Sequence, residues 1–318
     1  MIKIGISSCL LGNVVRYDGA NAKDKFIANK LSEYFSFVPF CPEHQIWGTP
    51  RTTIRLVDKQ DIGIRVVTSN EGVDLTDELE AVSEENANEV AEHDISGFIL
   101  KSGSPTCGLE RVKVYKEINA PTEKKGVGMF AKKLKEKYPY LPIEEEGRLG
   151  DAWLRENFLM QVYAYDDVHK LVASKPAFKD LVEFHTKYKY LIMAKSDTSY
   201  KVLGNIVANH EKKDIETVLE EYKLEFLIAI NKKGNVSKTF NVLQHIFGYF
   251  KKLITPDEKE EILESLNEYK EKIIPLIAVI KLINIYVKRF DVEYLKTQKF
   301  LNPYPKELAL RSDIKAYK

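Results

Sequence analysis

Three cysteines stand out in this 318-residue chain: Cys9 in "ISSCLLGNVVRYDG", Cys41 in "FVPFCPE" and Cys107 in "LKSGSPTCG". Each follows a short apolar run that reads as a β-strand, namely "IKIGIS", "FVPF" and "SGFIL". In an open parallel sheet, ligands bind beyond the carboxyl ends of the strands. The three thiols should therefore meet at one sheet edge, although 32 and 66 residues separate them in the chain. A lone free cysteine is usually a small buried hydrophobe. These three instead lie in turns rich in Gly, Pro and Ser, which is loop chemistry. An odd count without Cys-x-x-Cys pairs fits neither a disulfide framework nor the usual closed zinc site. The six histidines show no metal-ligand spacing, and Gly5 and Gly12 do not form a dinucleotide fingerprint. Soft thiolates suit an iron–sulfur cluster. With three protein ligands a 4Fe-4S cluster keeps one iron open, the feature that separates catalytic from structural metal sites.

The elements that must position these thiols alternate. "AKDKFIANKLSEYF" reads as a helix, "DIGIRVV" as a strand, and "TDELEAVSEENANEVAEH" as a charged helix with Thr76 as its cap. "VKVY" follows as a strand and "GVGMFAKKLKEKY" as a helix. Strands alternating with helices imply a mostly parallel sheet covered on both faces. After "YPYLPIEEEGRLGD", with its prolines and acidic run, almost every segment has helical period, and Thr255-Pro256 marks a capped helix start. The expected architecture is an α/β N-terminal domain with a mostly parallel, Rossmann-like sheet over residues 1–146. An all-α helical C-terminal domain over residues 150–318 follows it.

The chain is 44% hydrophobic, enough for two cores. The most apolar run, "IIPLIAVIKLINIYV", is interrupted by Pro275, Lys281 and Asn284 and reads as a buried helix, so no membrane partner is expected. Without a signal-peptide profile or a disulfide framework, the expected location is cytoplasmic. Residues 1–146 carry 19 Lys and Arg against 23 Asp and Glu; residues 147–318 carry 29 against 24. This mild basic bias allows nucleic-acid contact by the second half without demanding it. In "HTKYKYLIMAK" and the following "SYK", Tyr188, Tyr190 and Tyr200 interleave with Lys187, Lys189, Lys195 and Lys201. That pattern reads either as a base-stacking surface or as lysines snorkelling over an aromatic core.

The motifs "SCLLGNVVRYDG", "CPE…TPRTTIRL" and "KSGSPTCGLERVKVY" resemble the thiouracil desulfidase family, whose three cysteines bind a 4Fe-4S cluster. "WLRENF", "TSYKVLGNIVANH", "NVLQHIFGYFKK" and "FLNPYPKELALR" resemble the helical domain fused to it in tRNA 4-thiouridine desulfidases. The resemblance implies Cys9, Cys41 and Cys107 as cluster ligands. It also implies non-redox hydrolytic removal of sulfur from thiolated uracil, most fittingly 4-thiouridine in tRNA, giving uridine and hydrosulfide. Within these motifs Glu43 is the candidate general base, and Ser102 and Ser104 are candidate active-site hydroxyls. Lys101 is a candidate to steady the anionic cluster. Arg16, Tyr17, Asp18 and Arg51 are candidate contacts to the base or a phosphate. Two alternatives stand beside this reading: a desulfidase of free thiouracil or thionucleosides, and a non-catalytic iron–sulfur sensor. Glu43, Ser102 and Ser104 clustered around the thiols argue against the sensor. Oligomeric state is not legible.

Overall fold

Isoleucine-rich β1 (Ile2–Ser7) pairs in parallel with β2 (Phe35–Phe40) on one side and with β5 (Ile95–Leu100) on the other. β5 in turn pairs in parallel with β8 (Ile143–Glu145), giving an all-parallel sheet of order β2-β1-β5-β8. Every residue of β5 is buried, as expected of a strand covered on both faces. Pro39 is tolerated because β2 is an edge strand. The computed structural model describes residues 1–59, 62–116 and 122–309. Asp61, which opens "DIGIRVV", and the last two residues of "FLNPYPKELALR" lie outside the described residues.

A second sheet, absent from the sequence-based expectation, is mixed. β3 (Ile54–Lys59) is antiparallel to β4 (Gly63–Thr68) and parallel to β6 (Val112–Tyr115), which is antiparallel to β7 (Thr122–Gly126). Three helices complete the layer: α1 (Pro42–Trp47), α2 (Thr76–Glu92) and α3 (Met129–Lys137). The helix expected from residue 22 contracts to one wide turn over Phe26–Lys30 and a 3-10 turn over Leu31–Glu33, since Phe35 must already pair with Ile2. Its apolar pair Ile27 and Leu31 stays buried. Thr76 does not cap α2. Its hydroxyl accepts the Val66 N–H at 2.8 Å, tying the helix to β4, and Asp74 accepts the Thr76 N–H instead.

Contacts divide the described chain into two compact units, Met1–Asp166 and Asp167–Ala309, and the chain passes between them inside helix α4 (Ala152–Ala173). The early turns of α4 belong to the α/β unit: a Cβ on Gly97 would meet Val162, Tyr163 lies 5.8 Å from Phe35, and the Arg155 guanidinium covers Phe26.

The second unit is helical: α5 (Phe178–Lys195), α6 (Asp197–Ala208), α7 (Ile215–Asn231), α8 (Val236–Phe247), α9 (Pro256–Lys270), α10 (Leu276–Arg289) and α11 (Glu293–Lys296). The Thr255 cap forms as expected, exchanging hydrogen bonds with Glu258, while the run after Pro275 is α10, a helix buried along one face only: Val279, Ile280, Ile283, Tyr286 and Val287 are buried and Ile285 is exposed. The base-stacking reading of Tyr188 and Tyr190 is corrected. Tyr188 lies two helical turns from Leu181 and so shares its buried face, where it meets Phe226 edge-on. Its hydroxyl donates to Asp167 at 2.6 Å. Tyr190 is buried with its hydroxyl 3.5 Å from that of Tyr249. Tyr200 remains half-buried and stacks on His185, whose pKa burial and then Lys189 push down to about 4. Among the described residues no helix is long and apolar enough to cross a membrane.

Candidate active site

All four strands of the parallel sheet end at the same edge, and β1 is where the strand order reverses, with β2 on one side and β5 on the other. A crevice at such a reversal is where doubly wound sheets hold ligands. A cavity of about 250 Å³ opens there, walled by Cys9, Cys41 and Cys107 together with Glu43, Lys101 and Ser102. Arg16, Tyr17, Arg51 and Ser104 line it as well. The structure thus gathers every sequence-derived candidate except Asp18 around one space. Asp18 instead accepts the Ala20 N–H and pairs with Arg16 at 3.7 Å, shaping the turn through Gly19 at φ +74°.

Each thiol is set by a different local device. Cys9 is the second residue of a 3-10 turn (Ser8–Leu11) after β1, and its carbonyl accepts N–H groups from Gly12 and Ala22, which folds the "LLGNVVRYDGA" loop back on itself. Gly12, at φ +102°, makes the reversal possible. Cys41 directly precedes α1, whose first residue, Pro42, suits a helix start. Cys107 is buried against Phe40, Phe98 and Phe130. Its loop is held by Ser104, whose Oγ accepts the N–H groups of Thr106 and Cys107, both at 3.1 Å. The loop's carbonyls at Pro105 and Thr106 accept the free N–H groups of Met129 and Phe130 at the start of α3.

Backbone against backbone leaves no room at Gly128, where an added Cβ would lie 2.5 Å from Thr106 O and 2.8 Å from Cys107 N. Gly128→Ala must therefore push the Cys107 loop off α3. The expected result is a folded protein that fails to retain metal and loses activity, read by metal analysis beside circular dichroism. Full metal content in that variant would contradict the loop placement.

Burial pushes the Cys9 thiol up to about 11, with Cys41 adding to the rise and Lys101 and Arg16 opposing it. Burial likewise raises Cys41, and raises Cys107 strongly against a hydrogen bond from Ser7. Thiols so reluctant to ionise alone become thiolates when a metal replaces the proton. Among the described residues no three His, Cys, Asp or Glu side chains come close enough together to hold a single ion. Thiols spread around one cavity, with Arg16, Arg51 and Lys101 beside them, fit an anionic cluster of several metal atoms.

Glu43 faces the cavity with Oε2 bound by Arg51 twice, at 2.9 Å from Nη2 and 3.3 Å from Nε. Arg51 Nη1 donates to the carbonyls of Val15 and Gly48, so this buried arginine braces both Glu43 and the cavity rim. Glu43 Oε1 is left facing Ser104 Oγ at 3.5 Å.

Residues 4–146 match the model of a family described as 2-thiouracil desulfurase, ending on the carboxylate that closes this sheet edge. The match covers the α/β segment that holds all three cysteines. Residues 189–305 match a second family, described as a protein of unknown function (DUF1722). The chain is 24% identical over 157 residues to the uncharacterized protein YbgA of Escherichia coli K12, across 49% of this chain and 93% of YbgA. It is also similar to a solved structure titled 4Fe-4S-dependent thiouracil desulfidase TudS. That likeness has 28% identity and a TM-score of 0.39, over 47% of this chain and 94% of TudS.

Two residues of the α/β unit escaped the sequence reading. Ser7 ends β1, accepts the Lys101 N–H at 2.9 Å and touches Cys107. Glu146 sits in the acidic run read as a boundary signal. In fact Glu144 binds Arg148, Glu145 accepts the Leu109 N–H at 2.7 Å, and Glu146 binds Lys101 and Ser102. The available signal was "LPIEE", an apolar pair passing into carboxylates as a last parallel strand does at its ligand edge.

Proposed function

We propose that this chain hydrolyses the carbon–sulfur bond of thiolated uracil with a 4Fe-4S cluster held by Cys9, Cys41 and Cys107, and that its substrate is 4-thiouridine within tRNA. The observation that carries the chemistry is the convergence of three thiols from three strand ends on one cavity that also exposes Glu43. When bound there, the cluster supplies a Lewis-acid iron position, unclaimed by the three thiolates, for the thiocarbonyl sulfur. The reaction exchanges C=S for C=O: water supplies the oxygen, and sulfur departs as hydrosulfide. Glu43 takes the proton from water through Oε1, because Arg51 holds Oε2. Arg16 and Tyr17 stand at the partly exposed rim, where a phosphate or a neighbouring base arrives.

Support for tRNA over a free base is the fused helical unit and the basic excess of residues 147–318. A thiouridine in folded tRNA must leave its stack before its sulfur can be reached, and a second unit gripping the backbone stabilises that distorted state. The test compares anaerobic turnover on 4-thiouridine-containing tRNA with turnover on free 2-thiouracil, at rising salt. The tRNA reading expects a much higher kcat/KM on tRNA, falling steeply as salt rises. Equal or better turnover of the free base, insensitive to salt, would assign a free thiolated base as substrate.

A further inference from the structure

The loop bearing Cys107 carries two serines, and each faces a carboxylate held by a cation. Ser104 faces Glu43, held by Arg51; Ser102 faces Glu146, held by Lys101. The pairs differ in depth. Glu43 lines the cavity, whereas Glu146 stands behind Lys101 and Ser102, which do line it. Glu146 is placed by the sheet itself, since its N–H donates to Leu100 O across the β5–β8 pair at 3.2 Å.

The hydrogen bonds around Ser102 leave little freedom. Glu146 Oε2 accepts the Ser102 N–H at 2.7 Å and Oε1 accepts the Ser102 hydroxyl at 2.8 Å. The Lys101 ammonium binds Oε1 and also donates to Ser102 Oγ at 3.1 Å. A hydroxyl has one proton and two acceptor lone pairs. With the proton on Glu146 and one lone pair taken by Lys101, Ser102 Oγ has a single acceptor position left for the cavity.

Building on the desulfidase reading, we propose that Glu146 is a positioning residue that fixes Ser102 as a hydrogen-bond acceptor in the cavity wall. The site thereby selects pyrimidine rings that present an N–H beside the reacting carbon. Uracil-type rings carry that group at N3, between the two carbons where sulfur can sit. In nucleosides, whose sugar occupies N1, N3-alkylated rings and cytosine-type rings have no such N–H. A site built to accept an N–H discriminates strongly against an analogue without one, because the buried acceptor is then left unpaired.

The test uses iron-loaded full-length protein and two probe pairs: uridine against 3-methyluridine for equilibrium binding, and 4-thiouridine against its N3-methyl derivative for turnover. The parent protein should prefer the N–H form in both. Glu146→Gln keeps the shape but replaces one acceptor oxygen with a donor, so the amide and Ser102 compete to donate. The expected result is at least about a tenfold loss of preference, carried mainly by KM, with iron content and melting temperature unchanged. Glu146→Asp, which retains two acceptor oxygens, should recover part of the preference. If Glu146→Gln fails to load iron, Ser102→Ala reads the same selectivity and should lose it. Unchanged preference in Glu146→Gln or Ser102→Ala, or no preference in the parent, would overturn the inference. Preferential uridine binding without turnover of any thiolated base or nucleoside would sink the desulfidase reading and leave this one standing.

Discussion

Replacing Glu43 by glutamine should leave iron content and fold intact while lowering turnover by about a hundredfold or more, the scale of a lost general base. The prediction follows from the division of labour between the oxygens of this carboxylate. Arg51 binds Oε2 through two nitrogens, and glutamine can keep both bonds with its carbonyl oxygen in that position, which puts the amide nitrogen where Oε1 was. Among the described residues Oε1 has only the distant Ser104 hydroxyl beside it, so it is the oxygen able to take a proton. Glutamine cannot take one. Because Glu43 ligates nothing in the proposed site, the visible spectrum of the cluster should survive. Single-turnover rates on the thiolated substrate, beside iron analysis of the same sample, make the measurement. Full activity in Glu43→Gln would remove the residue from the mechanism and leave a water chain or Ser104 to act.

Removing any one thiol should abolish both iron retention and activity, and the structural side effects should differ by position. Cys9 and Cys41 are half-buried in loops, so alanine there should cost little stability. Cys107 packs among Phe40, Phe98 and Phe130, and alanine leaves a small void worth about 1 kcal/mol. Cys41→Ala is therefore the cleanest variant: native circular dichroism and melting, with iron and sulfide lost. Retention of a full cluster by Cys41→Ala would show that another residue supplies that ligand.

The convergence of the thiols was legible because parallel-sheet topology is a strong constraint. Once "IKIGIS", "FVPF" and "SGFIL" read as parallel strands, the residues after them had to share an edge. Glu43 and the serines were legible only through their neighbourhood to cysteines in the motifs. The mixed sheet was not, because the partnership of β3 with β6 joins segments far apart in sequence, and no local period encodes it. Glu146 was hidden for a related reason. An acidic run beside prolines looks like a linker until β5 is seen to bring Lys101 and Ser102 against it. Lysines around Tyr188 and Tyr190 left two readings open, a base-stacking surface or an aromatic core under snorkelling lysines. Alternation along the sequence does not decide between them, whereas the helical repeat puts both rings in the core.

The central claim is that Cys9, Cys41 and Cys107 hold one iron–sulfur cluster, and it is tested most directly by iron and acid-labile sulfide per chain in protein purified without oxygen. The account predicts about four of each, with a broad thiolate-to-iron absorption band that is lost in Cys41→Ala. Zinc at one per chain, or no metal in strictly anaerobic material, would contradict it.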